Sequence, residues 1–365
     1  MITAEPHIAR EAQALGFPLV GCAPLATLPR EEFLASWLAE GRAGEMRYLE
    51  RRSAERLDPR LAWAWARSMV VLAFPYDPPP PPHGDWRSEL RGRVAAYAFG
   101  RDYHDRVADL LRQLIERLRE RWPAARFRPY VDTGPILERE WAMRSGLGWI
   151  GRNTLLLHRH AGSYFFLAEL LTDLSLDPVP LPADRCGTCT RCLSACPTGA
   201  LTDYAMDPRR CISYLTIEHR TAIPVALRPA LENWIFGCDI CQEVCPWNRD
   251  ARARAADETL APFLPDLLAL DTAAFRARFR GTAVTRARRS GLLRNVAVAL
   301  GNSGNPRAVP PLIAALTDPE PLVRGHAGWA LGQLGGQQAR RAVEIAHRGE
   351  PDPAARSELE AALAG

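Results

Sequence analysis

The sequence predicts an α+β chain in three parts, and three observations carry that reading. Apolar strand-like runs alternate with amphipathic helical stretches through the first half, eight of the nine cysteines fall between Cys186 and Cys245, and beyond Trp247 the periodicity is helical only. The expected parts are an α+β domain over residues 1–178, a cysteine-rich domain over 179–250 and an all-α domain over 251–365. A length of 365 residues suits two or three domains, and 47% hydrophobic with 24% charged residues is ordinary globular composition. No apolar run approaches the length of a membrane span, so no membrane is expected as partner. All 46 basic residues are arginine. That excludes lysine chemistry such as a Schiff base or a phosphate-loop lysine, and leaves the planar guanidinium as the only basic contact to a polyanion.

Taken in order, Ile8, Ala12 and Leu15 recur at helical spacing and predict an opening helix over 3–17, followed by a second over 30–41 carrying Phe33, Trp37 and Leu38. Residues 68–74 (SMVVLAF) form an apolar, β-branched run bounded by Pro75, which predicts a buried strand. The five prolines at 78–82 mark a surface loop. A short strand is expected over 93–99, then a long amphipathic helix after His104 built on Val107, Leu110, Leu111, Leu114, Ile115 and Leu118, then a strand over 127–131. Pro135 suits a first helical position, so a helix is expected over 136–146, with Asp132 or Thr133 as its cap. Residues 149–158 and 162–172 are expected to continue the sheet, and the proline-flanked stretch 178–182 to link it to the cysteines. In the tail, Val309, Leu312, Ile313 and Leu316, a proline turn at 318–321, and Leu322, Ala327, Ala330, Leu331 and Leu334 make a helix–turn–helix unit that resembles a HEAT repeat. Stretches 292–300, 339–346 and 354–363 look like its stacked neighbours.

The cysteines read Cys186-x2-Cys189-x2-Cys192-x3-Cys196-Pro197 and Cys211-x26-Cys238-x2-Cys241-x3-Cys245-Pro246. A C-x2-C-x2-C turn aims three thiolates at one cubane, while the following cysteine before proline serves the neighbouring cluster, as in two-cluster ferredoxins. The spacing therefore predicts two [4Fe-4S] clusters. Cys186, Cys189, Cys192 and Cys245 would hold one, and Cys196, Cys211, Cys238 and Cys241 the other. The second set departs from the bacterial pattern in drawing its first ligand from far upstream. Structural zinc would use eight cysteines as two tetrads but gives no reason for this cadence, and disulfides need an oxidising compartment. The N-terminus, with Glu5, Arg10 and Glu11 among its apolar residues, has no signal-peptide pattern, so a cytoplasmic protein is expected.

A basic cluster, Arg276, Arg278, Arg280, Arg286, Arg288, Arg289 and Arg294 with Phe275 and Phe279 interleaved, is a candidate nucleic-acid surface; its rival is an ordinary solvated face.

Longer strings then resemble one family. Phe127-Arg-Pro-Tyr-Val-Asp132-Thr-Gly-Pro-Ile-Leu-Glu-Arg139, Gly146-Leu-Gly-Trp-Ile-Gly-Arg-Asn153, Cys211-Ile-Ser-Tyr-Leu-Thr-Ile-Glu218 and the run from Phe236 through Cys238 and Cys241 to Cys245-Pro-Trp-Asn248 are similar to the signatures of the epoxyqueuosine reductases. The resemblance covers nearly the whole chain. It implies a cobalamin-dependent enzyme that reduces the epoxide of epoxyqueuosine in the anticodon of tRNA, the last step to queuosine. It further implies a nitroreductase-like or reductive-dehalogenase-like cobalamin domain, a ferredoxin-like domain and a HEAT-like tail near the tRNA, in a monomer fed by an external low-potential electron donor. Asp132 stands at the family's proton donor. Arg56, Tyr97, Asn153, Thr154 and Ser213 fall, with Asp132, in segments resembling its cobalamin-contacting ones, although an aromatic ring at 97 is as well explained by core packing. His104 and His158 are read as structural.

Epoxide removal is a two-electron reduction that also consumes protons. A carboxylic acid beside an apolar corrin face is expected to have its pKa raised by desolvation and so to stay protonated. Three rivals share parts of the pattern. A ferredoxin-type carrier needs neither the N-terminal domain nor Asp132, a non-catalytic tRNA binder has no use for eight cluster cysteines, and a reductive dehalogenase usually carries an export signal and lacks the helical tail.

Overall fold

The computed structural model describes residues 6–79, 84–251 and 260–364. Residues 3–5 of the expected opening helix and 80–82 of the proline run lie outside them.

The N-terminal region is built on one antiparallel sheet of four strands. Its order is Leu19–Pro24, Ser68–Pro75, Phe165–Thr172, Phe127–Tyr130, so the last of these is an edge strand. The apolar runs at 68–75 and 165–172 become its two central strands because both of their faces are covered. Val70, Leu72, Ala168 and Leu170 pack under the helices Pro6–Ala14 and Tyr103–Arg121, whereas Met69, Val71, Ala73 and Leu171 pack against Trp63, Ile136, Trp141 and Leu147. Period-two alternation then settles where Glu169 must point: it shares the face of Leu171, toward the helix Glu138–Arg144, and is fully buried there.

Three expectations change. The strand Leu19–Pro24 was not foreseen; it pairs with Ser68–Pro75 from Leu19 opposite Ala73 to Pro24 opposite Ser68. The expected strand over 93–99 is ordered as only Arg93–Val94, which leaves the main sheet to run parallel to Trp234–Phe236, and is followed by a 3-10 turn at Ala96–Ala98. Residues 149–158 likewise form a separate two-residue ladder, Trp149–Ile150 with Leu156–Leu157. In the last two cases an apolar run is buried without a place in the large sheet and pairs with a short segment elsewhere.

A second core is continuous from Leu90, Val94 and Ala98 through Leu215, Leu231 and Phe236 into the C-terminal helices. Those helices are Arg288–Asn302, Val309–Ala315, Pro321–Leu334, Gln337–Gly349 and Pro353–Ala364, so the stretches read as neighbours of the repeat are full helices. Pro321–Leu334 packs on both Arg288–Asn302 and Pro353–Ala364. The second approach needs glycine: a Cβ on Gly328 would stand 2.3 Å from Leu359 Cδ2. Among the described residues no helix is long and apolar enough to cross a membrane.

Candidate functional site

Asp132 lies just beyond the edge strand and does not cap the following helix. That helix begins at Glu138, after Leu137, which makes no side-chain cap. The Asp132 backbone instead takes a left-handed φ of 52°, a conformation that costs a non-glycine residue and persists where neighbours hold it. Its amide donates to Glu138 Oε1 at 2.8 Å, and its carboxylate Oδ2 accepts the Tyr103 hydroxyl at 2.8 Å. Tyr103 is fixed by lying flat on Phe166, with centroids 4.3 Å apart and an interplanar angle of 3°. The His104 ring stacks on the other side of Tyr103 at 4.0 Å and brings Nε2 to 3.8 Å from the same Asp132 oxygen. Thr154 is the second left-handed residue here (φ 63°), its carbonyl held by Arg139 Nη1 at 2.8 Å.

The Asp132 side chain is 60% open to solvent. Burial is nevertheless the leading influence on its carboxyl, which marks the wall of a concave cleft, ringed by protein yet reachable. Burial pushes its pKa up, but the nearby His104 imidazole, the hydrogen bond from Tyr103 and the charge of Arg139 outweigh it, and the net direction is down. The net direction favours the carboxylate; the raised pKa expected from the sequence is that of an acid beside a corrin face. Its charge reaches Tyr48, Arg56, Tyr97, His104 and Arg286, which therefore share its surroundings.

Sequence reading missed a buried carboxyl pair behind it. Glu169 is fully buried and neither oxygen has a hydrogen-bond donor; its charged neighbour is the Glu138 carboxyl, which acts on it directly. Two carboxylates cannot both ionise there, so the pair holds a proton. Burial, then the charge of Asp132, pushes Glu138 up to about 8, and burial with Glu138 pushes Glu169 well above the carboxylate range. A charged residue in the middle of a strand of leucines was the available signal.

The other candidates divide. Arg56 is half-buried in the cleft, with Nη2 on the Tyr48 carbonyl at 3.2 Å and Nε buried without a partner, a donor left over for a bound group. Tyr97 is half-buried, edge-on to Tyr103 with centroids 6.1 Å apart. Ser213, near the start of the helix Ile212–Ile217, directs its backbone N–H at the Cys211 thiol. Asn153 is corrected: it is 3% exposed, and its amide is spent on the Cys241 carbonyl (3.5 Å) and the Leu155 amide (3.3 Å). It ties the cysteine loop to the N-terminal region, and its burial leaves little of the side chain within reach of a cofactor. His158 holds a turn, its Nδ1 accepting the amides of His160 and Ala161.

The short helices Arg191–Ala195 and Ile240–Glu243 pack together and bring the two cysteine motifs side by side. No cysteine is in a disulfide. The thiols influence one another in two groups: Cys245 is pushed up by burial and by Cys186, Cys192 and Cys189, while Cys238 is pushed up by burial and by Cys211 and Cys241. Cys196 acts on Cys211 and, with Cys192 of the first group, on Cys241, so the two groups lie close together. Half-buried thiols that raise one another suit a multiply cationic centre, since bound iron removes the repulsion. Among the described residues no three His, Cys, Asp or Glu side chains stand close enough to share one ion; a cubane asks for wider-set thiolates than zinc does.

The arginine cluster also divides. Arg276, Arg278, Arg280 and Arg288 are exposed. Arg286 pairs with Glu218 at 2.8 Å beside the cleft, and Arg289 is bound to Asp318 at 3.0 Å. Arg294 is corrected: it is fully buried and donates to the carbonyls of Leu215 (2.6 Å), Thr221 (2.7 Å) and His219 (2.9 Å), closing the end of the helix Ile212–Ile217. Phe275 is buried against Phe279, so that aromatic pair is core packing and no base-stacking platform. The strip nonetheless approaches Asp132: the Asp102 amide, one residue before Tyr103, donates to the Gly281 carbonyl at 2.7 Å, and the Asp132 charge acts on Arg286.

A family model described as a 4Fe-4S double cluster binding domain matches residues 185–248, and one described as HEAT repeats matches 283–364. With the paired thiol groups and the acid-bearing cleft, they define the class, an iron–sulfur oxidoreductase with a helical-repeat tail. A third model, described as Epoxyqueuosine reductase QueG, DUF1730, matches residues 56–133. The chain is 40% identical over 340 residues to the epoxyqueuosine reductase of Xanthomonas campestris pv. campestris, spanning 90% of this chain and 94% of that one. It is 38% identical to the Escherichia coli epoxyqueuosine reductase over 331 residues, 87% and 86% of the two chains. The crystal structure of an epoxyqueuosine reductase with a tRNA-Tyr epoxyqueuosine-modified tRNA stem loop superposes with a TM-score of 0.92 at 30% identity, covering 98% of this chain and 97% of that one. The Bacillus subtilis epoxyqueuosine reductase with its catalytic loop swung out of the active site superposes with a TM-score of 0.89 at 29% identity over the same shares. The chain belongs to the epoxyqueuosine reductase family.

Proposed function

We propose that this chain reduces the epoxide of epoxyqueuosine in tRNA to the alkene of queuosine, with Asp132 as proton donor, two [4Fe-4S] clusters and cobalamin as cofactors, and an external low-potential electron donor. The observation that carries the reading is the Asp132 carboxylate, held by Tyr103 in a cleft that one end of an arginine strip approaches. Family membership supplies the substrate. A tRNA substrate is consistent with a cytoplasmic location.

Cys186, Cys189, Cys192 and Cys245 are assigned to one cluster and Cys196, Cys211, Cys238 and Cys241 to the other, following their mutual influence. Cobalamin fits the cleft through the spare Arg56 donor, the face of Tyr97 and the backbone at Thr154 and Ser213. When bound, cobalamin supplies the strongly reducing centre and the clusters supply single electrons at low potential, chemistry that side chains lack. The chain's own residues bind, orient and protonate. Arg276, Arg278, Arg280 and Arg288 meet phosphates and carry the anticodon toward Arg286 and the cleft. Asp132 faces the substrate with a single proton-bearing group. Water exclusion by the docked tRNA favours the neutral carboxylic acid, which gives its proton to the departing oxygen.

The test is Asp132→Asn in protein purified without oxygen. Iron content and tRNA affinity should be retained while turnover of epoxyqueuosine tRNA falls by about two to four orders of magnitude. Near-normal turnover rejects the role.

A further inference from the structure

Removing an epoxide oxygen as water consumes two electrons and two protons: both C–O bonds break, the alkene forms, and the oxygen leaves with two hydrogens. The electrons come from the external donor of the proposed reaction. One carboxyl group carries one proton, so Asp132 has to be reloaded between the two C–O cleavages.

We propose that His104, oriented by Asp102, is the group that reloads Asp132 and so supplies the second proton. The inference rests on the proposed role of Asp132. His104 Nδ1 lies 2.7 Å from Asp102 Oδ1, which directs the opposite nitrogen, Nε2, to 3.8 Å from Asp132 Oδ2. That distance is just beyond a hydrogen bond, and catalytic contacts commonly tighten only when substrate is bound. The geometry is a line of carboxylate, imidazole and carboxylate. One end of it is the reacting acid, and 37% of the His104 side chain is open to solvent, so the imidazole can be recharged from outside. Asp102 is itself immobile. Its Oδ1 caps the helix Tyr103–Arg121 by accepting the His104 amide at 3.0 Å, and its own amide is bound to Gly281.

The groups facing the ring are Asp102 and Tyr103 from its own segment and Asp132 from the loop after the edge strand. Tyr103, stacked on the ring and bonded to the same Asp132 oxygen, is a poor competitor: burial first, then Asp132, pushes its hydroxyl far above the ordinary tyrosine range, so it keeps its proton. The two carboxylates outweigh burial and raise the pKa of His104, which favours the imidazolium as the proton-bearing form. The transfer balances: the proton on Nε2 passes to Oδ2, the imidazolium becomes imidazole, the Asp132 carboxylate becomes the acid, and Asp102 keeps its charge beside the ring to draw in the next proton.

The experiment uses the holoenzyme and epoxyqueuosine tRNA. His104→Gln should lower turnover by about 10–100-fold with iron content and tRNA affinity unchanged, and added imidazole should restore part of it. Asp102→Asn, which keeps the helix cap, should move the alkaline limb of the turnover profile to lower pH, because the imidazole loses one of the anions that hold its proton. Unchanged turnover in His104→Gln, or a loss that imidazole leaves untouched in protein with full iron content, overturns the proposal. If His104→Gln loses its iron, an unshifted profile in Asp102→Asn overturns it alone. Asp132→Asn separates the two readings: if it stays active the acid itself is misassigned, whereas an inactive Asp132→Asn beside a wild-type-like His104→Gln removes only the relay.

Discussion

The Tyr103 hydroxyl donates a 2.8 Å hydrogen bond to Oδ2 of Asp132 from a ring pressed flat on Phe166. The tyrosine keeps its own proton, so the bond favours the ionised form of Asp132. A hydrogen bond to a charged group contributes about 1.5–3 kcal/mol, or about one to two pK units. Tyr103→Phe should therefore raise the Asp132 pKa by about one unit. Measured pH profiles of the two proteins check this. A collapse as large as that of Asp132→Asn would instead make Tyr103 a proton donor.

Replacing one cysteine of either set should remove one cluster and spare the other. Protein purified without oxygen should carry about eight irons, and Cys189→Ala or Cys241→Ala about four each. Iron analysis with the visible absorption of each variant decides the assignment, and zinc in place of iron would reject it.

The arginines predict two different outcomes. Arg278→Ala with Arg280→Ala should weaken tRNA binding and flatten its dependence on salt by about one logarithmic unit per lost phosphate contact, with stability unchanged. Arg294→Leu should leave that salt slope alone in the folded fraction. It should cost about 3 kcal/mol or more of stability, because buried carbonyls of Leu215, His219 and Thr221 lose their donor. Salt-dependent binding and thermal denaturation separate the two.

The Glu138–Glu169 pair makes stability fall with rising pH. Both groups have folded pKa values above the ordinary carboxylate, so the native state binds more protons than the unfolded one between about pH 4.3 and the folded values. Stability is fullest below that window and is lost as pH rises through about 8 at Glu138. Glu169→Gln, whose amide can donate to Glu138, should raise the melting temperature at neutral and alkaline pH and flatten its pH dependence. An unchanged slope would mean the pair is ionised as in water.

Elements whose signal is local were legible. The central strands 68–75 and 165–172 are apolar runs long enough to need covering on both faces. The helix Tyr103–Arg121 has five inward positions at regular spacing, and the tail helices carry the same period. Leu19–Pro24 escaped because Gly21 and Pro24 dilute its strand character; its place is granted by Ser68–Pro75 alone. Residues 93–99 and 149–158 misled for the opposite reason: a short apolar run says that a segment is buried and is silent on what buries it.

The sequence by itself determined the cofactor-bearing segment and the family, because cluster ligands are spaced by the local reach of a turn and the long signature strings are contiguous. It marked Asp132 but left cap and acid in competition. Tertiary structure removed the cap by bringing Tyr103, 29 residues away, onto the carboxylate. It likewise set His104 beside Asp132, joined Glu138 to Glu169 across the sheet and turned Arg294 inward. These contacts depend on where a sheet edge, a helix start and a buried helix face meet, and a one-residue change in register would point each side chain elsewhere.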